Sequence, residues 1–202
     1  MRAARYYQNG LWLSESEPAL AWLLLVSALE TAALHWRSEK GTPLERFQIA
    51  KPDLFEYLSK LDPAAAHRVA DEFKDSFGAT RNFLDFVLKF RPPEPTERPP
   101  CAAIDWSDGS LKKILSTVYG YRSKALHAGK PFPAPMCAPP YRQSVQTTPA
   151  EKPLGHVSTG GGVWLEKDTP ILLHTFEYIT RGTLLNWWRS MDVTAQGPEQ
   201  TS

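Results

Sequence analysis

An arginine and a histidine lie close together at Arg122 and His127, where a basic and aromatic segment runs into a proline-rich stretch. Near neutral pH a histidine can act as general base towards a hydroxyl or as general acid towards a leaving oxygen. The arginine guanidinium offers a fixed fork of donors to a phosphate and meets the charge that develops there during reaction. These two residue types therefore suit chemistry at a phosphate.

The spacing of this pair has a geometric consequence. An arginine followed after four to six residues by a histidine is expected roughly once by chance in a chain of this composition, so the neighbouring residues must support any prediction. Residues five apart in a regular α-helix are separated by about 140° around the axis, so Arg122 and His127 do not share a helical face. Either the helix unwinds before Gly129, or the site is assembled from more than one element.

Four nearby side chains are candidates for binding a substrate. Tyr119 and Ser123 share a helical face with His127, because the three follow one another at steps of four residues. Their hydroxyl groups can orient a phosphate or a ribose. Lys124 and Lys130 add positive charge close by. We expect these four residues to support the Arg–His pair rather than to react themselves.

Arg122 and His127 also have structural interpretations. Arg122 lies on an apolar stripe of its predicted helix, where a guanidinium needs a partner, and Glu30 is the lone acid in the most apolar helix. The two would then form a buried ion pair, with or without a further contact between Arg122 and a substrate. A histidine in the last turn of a helix can bond the final carbonyls, which is the structural alternative for His127.

Neither a metal nor a cofactor is predicted. The run Gly160–Gly162 lacks the Gly-Lys-Ser/Thr continuation of a phosphate-binding loop. A zinc site is disfavoured because no pair of its candidate ligands has a recurrent ligand spacing, these being His127, Cys137, His156 and His174.

The overall composition limits the classes of function. The 202 residues suffice for one domain with a sizeable core, and 23 Lys and Arg against 22 Asp and Glu give a net charge of +1. Such a charge excludes a global field for a polyanion, so any contact with nucleic acid must be local. The two cysteines are typical of reduced thiols, and the amino terminus does not resemble a signal peptide, which together favour the cytoplasm.

The pattern of apolar residues, prolines and caps predicts an all-α fold: a bundle of four to six helices in a single domain over residues 1–191. The segment Pro18–Trp36 is expected to be a core helix and not a membrane span, because its continuous apolar part is short. A long proline- and glycine-rich loop follows at 130–168, with a candidate β-hairpin near 160–165, and a disordered tail is expected at 192–202. The predicted helices lie at about 17–37, 53–61, 63–77, 82–90, 108–127 and 171–191.

Taken together, these residues resemble the HEPN superfamily of small helical bundles. The sharpest part is a segment that reads tyrosine, two residues, Arg-Ser-Lys, two residues, His, a small residue and Gly, which matches residues 119–129 position by position. The element Ala28-Leu29-Glu30 in an early helix and a closing helix rich in Leu and aromatics are also similar. Nuclease members often carry Asn, Asp or His directly after the arginine, where this chain has Ser123.

The resemblance implies metal-independent RNA cleavage, in which a ribose 2′-hydroxyl attacks the adjacent phosphate, with Arg122 and His127 as the catalytic pair. It also implies a two-fold homodimer with both motifs at the shared interface, and a role as a toxin or defence effector that an antitoxin or another protein partner restrains. The alternative is a non-catalytic HEPN module that binds a nucleotide, an RNA or a protein. In that case Arg122 is tied to Glu30 and His127 caps its helix.

Overall fold

The computed structural model describes residues 2–36, 42–73, 78–155, 157–159 and 162–195. Within those ranges the chain forms eight α-helices and one two-stranded antiparallel hairpin, so the all-α prediction is confirmed and the helices outnumber the four to six expected. The helices are α1 (Arg2–Trp12), α2 (Pro18–Trp36), α3 (Pro43–Ala50), α4 (Pro52–Leu61), α5 (Pro63–Glu72), α6 (Ala79–Phe90), α7 (Asp108–Ala128) and α8 (Leu173–Ala195). The hairpin strands are β1 (Val157–Thr159) and β2 (Gly162–Trp164).

Local chemistry explains where several of these helices begin and end. Thr42 and Glu45 form a reciprocal capping box at the start of α3, and Asp62 caps α5 through the backbone N–H of Ala64. Ser107 caps α7 in the same way. Gly129 ends α7 with a φ of 62°, in the left-handed region that glycine enters without strain.

The main core is built around α2, which packs against α1, α6 and α8. Trp22 is fully buried at its centre and stacks on Phe176 of α8 and on Phe132 from the long loop, with ring centroids 4.7 and 5.1 Å away. In the described part of the chain α2 is the one helix long and apolar enough to cross a membrane. Eight residues of α2 are buried in the bundle, as expected for the core helix predicted over Pro18–Trp36.

Helices α3, α4 and α5 form a smaller layer with its own apolar cluster. Phe47 is fully buried between Ala66 and Ala70, and its ring lies edge-on to Phe55 at 5.6 Å. No residue of this cluster belongs to the main core. The single domain predicted for residues 1–191 thus contains two separate apolar clusters.

The long loop is tied to the bundle by a buried ion pair. Arg98, in the extended linker after α6, donates from Nε and Nη2 to the two carboxylate oxygens of Glu151, each at 2.9 Å. Glu151 is 5% exposed and also accepts the backbone N–H of Ile104 at 2.7 Å. A bidentate, charge-assisted pair of this kind fixes two irregular segments against each other. The part of the loop around Glu151 is therefore held in place although it has no regular structure.

One predicted helix boundary needs correction. Helix α8 continues to Ala195, four residues into the stretch expected to be disordered, and residues 196–202 lie outside the described residues, as do Gly160 and Gly161 of the predicted hairpin region. The apolar stripe of α7 does not extend to Leu126, which is 52% exposed. The buried residues of α7 end at Tyr119, and beyond it Tyr121 and Ala125 are partly buried against the core.

Candidate functional site

Four helices surround a cavity of about 540 Å³ at one end of the bundle. The second half of α7 contributes Tyr119, Arg122, Ser123 and His127, and the middle of α2 contributes Glu30. The remaining walls come from other residues of α2, from the first turn of α6 and from Tyr6 of α1. The volume lies within the range of roughly 300–1,000 Å³ that is typical of small-molecule sites.

Arg122 is held by Glu30, as predicted for a guanidinium on an apolar stripe. Its Nη2 donates to Glu30 Oε2 at 2.5 Å, and the two side chains are only 21% and 16% exposed. Tyr119 donates from its hydroxyl to the other oxygen, Oε1, at 2.8 Å. The guanidinium lies 5.7 Å from the centre of the Tyr119 ring. Glu30 thus joins two predicted site residues and orients both of them.

The environment of Tyr119 determines its protonation. Burial, and then the hydrogen bond and charge of Glu30, raise the pKa of the Tyr119 phenol to about 12, because all of them disfavour the phenolate. Tyr119 is therefore a neutral hydrogen-bond donor near pH 7, which suits the orientation of a carboxylate or a substrate oxygen and excludes action as a base.

His127 lies in the last turn of α7 and is exposed, yet its side chain lines the same cavity as Arg122. The helix does not unwind: it stays regular to Ala128, and backbone N–H groups of Gly129 and Lys130 bond to the carbonyl of Lys124. Within the described residues the imidazole makes no hydrogen bond, so the backbone caps this helix end. The first of the two geometric alternatives, an unwinding of the helix before Gly129, is therefore not what the structure shows.

The two predicted lysines do not line the cavity. Lys124 lies two residues from Arg122, about 200° around the helix, so it points to another side of α7. There its Nζ lies 5.3 Å from the centre of the Tyr121 ring. Lys130 follows the helix end and is exposed. Of the four residues predicted to bind substrate, Tyr119 and Ser123 line the cavity, whereas Lys124 and Lys130 do not.

Several lining residues were not predicted. Ser27 and Thr31 of α2 and Thr80 and Asn82 of α6 carry hydroxyl and amide groups into the cavity, with Tyr6 of α1. For α2 a signal existed: Ser27, Glu30 and Thr31 are the polar residues of an otherwise apolar stretch and share one face at spacings of three and four. For α6 and α1 no local pattern distinguishes these residues from an ordinary exposed surface.

No group of three or more metal-ligating side chains occurs in the described part of the chain, and His156 lies outside it. Cys137 and His174 line a second cavity of about 510 Å³ between α1 and the start of α8. Burial raises the pKa of the Cys137 thiol to about 11 and lowers the pKa of His174. Neither thiolate nor imidazolium is favoured there at neutral pH.

Comparisons of the chain with protein-family models, with curated proteins and with solved structures found no match. The resemblance to the HEPN superfamily therefore depends on the motif in α7 and on its counterparts in α2 and α8, and it stays a prediction.

Proposed function

We propose that this protein is a HEPN-like, metal-independent endoribonuclease in which Arg122 and His127 act on an RNA phosphate. The observation that supports it most is that these two side chains line one cavity together with Tyr119 and Ser123. A guanidinium and an exposed imidazole beside a cavity of about 540 Å³ suit an unpaired nucleotide better than a duplex.

In the proposed reaction the ribose 2′-oxygen forms a bond to the adjacent phosphorus, and the bond to the 5′-oxygen of the next nucleotide breaks. The products are a 2′,3′-cyclic phosphate and a 5′-hydroxyl. His127 takes the proton from the 2′-hydroxyl or delivers one to the leaving oxygen. Arg122 donates to the phosphate oxygens as charge develops on them, and Glu30 keeps its guanidinium in place. Cleavage of this kind needs both a base and an acid.

A second copy of the chain supplies the second imidazole in this proposal, across a two-fold axis. Leu34, which lines the cavity, and Leu126, next to His127, are 59% and 52% exposed and offer apolar contacts near the site. We expect a dimer by light scattering, and we expect Leu126→Glu to shift it towards monomer. Leu54→Glu, on a helix that does not line the cavity, should leave the mass unchanged. A monomeric wild type would contradict the shared site.

The biological setting follows from the resemblance alone. As a HEPN-like ribonuclease the protein would act in the cytoplasm as a toxin or defence effector, and an antitoxin or another protein would restrain it. The two cysteines, which no disulfide joins, are compatible with a reducing compartment.

One observation favours a second function, a non-catalytic module that binds a nucleotide, RNA or protein. The charge of Arg122 is already matched by Glu30 at 2.5 Å, so a phosphate gains less from this guanidinium than from a free one. In such a module the cavity would still receive a ligand, but loss of His127 would not change its affinity much.

The deciding experiment compares the cleavage of labelled single-stranded RNA and transfer RNA in EDTA by the wild type, His127→Ala and His67→Ala. His67 is an exposed histidine on α5 and serves as the matched control. Cleavage by the wild type and His67→Ala, with a loss of at least about a hundredfold in His127→Ala, would support the nuclease. Equal cleavage by all three would point to a contaminant, and none at all would favour the binding module.

A further inference from the structure

The cavity has further walls besides the proposed catalytic pair, and their chemistry is distinct. Beyond Arg122, Glu30 and His127, every lining residue is uncharged. The walls formed by α1, α2 and α6 carry four hydroxyls and one amide, those of Tyr6, Ser27, Thr31, Thr80 and Asn82. Uncharged donors and acceptors of this kind fit a polar but neutral group.

Some of these groups remain available to a ligand. Among the described residues the hydroxyls of Tyr6, Ser27 and Ser123 have no hydrogen-bond partner. The Thr31 hydroxyl donates to the Ser27 carbonyl at 2.7 Å, which leaves its oxygen free to accept a bond. Leu34 and Tyr6 contribute apolar and aromatic surface beside them. Flat apolar faces with polar edges are the surfaces that a nucleobase presents.

The distribution of charge limits how much of an RNA can enter. Among the described residues Arg122 is the only Lys or Arg that lines the cavity, and Glu30 offsets its charge. A run of several phosphates would therefore lack cations to pair with. The lining fits a single nucleotide better than a run of phosphates: one phosphate would lie beside Arg122, and one neutral base against the uncharged walls.

We infer that the walls formed by Tyr6, Thr31 and Asn82 bind the base of the nucleotide whose phosphate lies at Arg122, and that they determine where an RNA is cut. The part of this inference that concerns where an RNA is cut rests on the proposed function. Asn82 brings an amide side chain, a group that can hydrogen-bond the edge of a base, to this wall, and Tyr6 brings a ring for stacking. A base paired within a duplex cannot reach these walls, so the substrate is single-stranded.

Binding tests this without relying on cleavage. The four ribonucleoside 3′-monophosphates and inorganic phosphate are titrated into His127→Ala by calorimetry. We expect at least one nucleotide to bind about tenfold or more tightly than inorganic phosphate. Thr31→Val in the same background should remove most of that advantage and leave phosphate binding unchanged. Thr117→Val is the matched control, because Thr117 makes the same bond to the carbonyl four residues earlier but lies outside the cavity.

Cleavage tests the consequence. Asn82→Ala and Thr31→Val in the otherwise wild-type chain should change which positions of a mixed-sequence RNA are cut, with circular dichroism to confirm folding. Asn82→Asp, which keeps the shape of the side chain, replaces Asn82→Ala if that variant fails to fold.

An unchanged cleavage pattern in folded variants overturns the inference and leaves the proposed nuclease function intact. Nucleotide binding without any cleavage by the wild type would retain the base-binding walls and refute the nuclease. Equal affinity for all nucleotides and inorganic phosphate overturns the inference.

Discussion

The Arg122 guanidinium pairs with Glu30 and, in the proposed function, also binds a phosphate. Nη2 is bound to Glu30, and Nε is buried with no hydrogen-bond partner in the described structure, so only the remaining N–H groups can face a phosphate. The carboxylate orients the guanidinium and also lowers the positive charge that a substrate meets. The pair is therefore both a structural contact and a limit on phosphate affinity.

The stability of the Arg122–Glu30 pair can be measured directly. Arg122→Ala leaves a mostly buried carboxylate without its cation, so we expect a loss of about 2–3 kcal/mol in the free energy of unfolding in urea. Arg68→Ala is the control, since Arg68 pairs with Asp62 on an exposed surface and should cost no more than about 1 kcal/mol. Equal losses in the two variants would show that burial adds nothing to the Arg122 pair.

Tyr119 gives a prediction on pH. Its folded-state pKa of about 12 lies above the ordinary value of 10.0, so the phenol contributes stability that is fully present below pH 10 and is lost as the pH rises towards 12. We expect Tyr119→Phe to lose less stability over that interval than the wild type. The ultraviolet absorbance of phenolate should also lose a late-titrating component in the variant. A titration curve unchanged by the substitution would be evidence against the buried bond to Glu30.

At the scale of elements, a glycine determines how closely α8 approaches the linker after α6. A Cβ at Gly182 would lie 2.5 Å from Pro92 Cβ and 2.6 Å from its Cγ, a distance that the rigid ring cannot relieve. Nearby, Asn186 Nδ2 donates to the carbonyl of Phe90 at 3.0 Å. The close packing and the hydrogen bond together hold the end of α6 against α8.

We therefore expect Gly182→Ala to destabilise the protein by about 1–3 kcal/mol through overpacking, measured by urea unfolding. Gly120→Ala is the control: it lies within α7, a Cβ there meets no atom within 4 Å, and alanine should stabilise the helix by roughly 0.5–1 kcal/mol. If the two substitutions change the free energy of unfolding in opposite directions, the effect at Gly182 comes from the close contact and not from helix propensity. A stabilising Gly182→Ala would mean that α8 and Pro92 separate easily.

For the whole molecule, the two apolar clusters predict uneven stability. Among the described residues the cluster of α3, α4 and α5 has three buried apolar residues, whereas the main core unites residues of five helices and part of the loop. Small clusters open at lower free energy than large ones. Neither the proposed catalytic pair nor any other residue lining the cavity belongs to α3, α4 or α5.

Hydrogen exchange should reveal this difference. We expect amides of α3–α5 to exchange at least about tenfold faster than those of α2 and α8, and Phe47→Ala to remove their protection. Protection in α2 and α8 should hardly change in that variant, because their core does not contain Phe47. A uniform loss of protection along the chain would show instead that both clusters unfold as one unit.

Much of the local structure could be predicted because its causes are local. Prolines, caps and helical spacing located six of the eight helices to within a few residues. Two helices, α1 and α3, were not predicted, although the capping box of Thr42 and Glu45 was a local signal for α3. The pairing of Arg122 with Glu30 could also be predicted, since a guanidinium on an apolar stripe needs an acid and the most apolar helix contains one.

The sequence by itself determined the fold class, the bounds of most helices and the members of the ion pair, because these follow from the chemistry of neighbouring residues and from the cost of burying a lone charge. Only the tertiary structure decided which side chains share the cavity. Packing of α1, α2, α6 and α7 brings polar residues far apart in the chain to one place. It also pairs Arg98 with Glu151 across two irregular segments, where no periodicity exists from which to predict a contact.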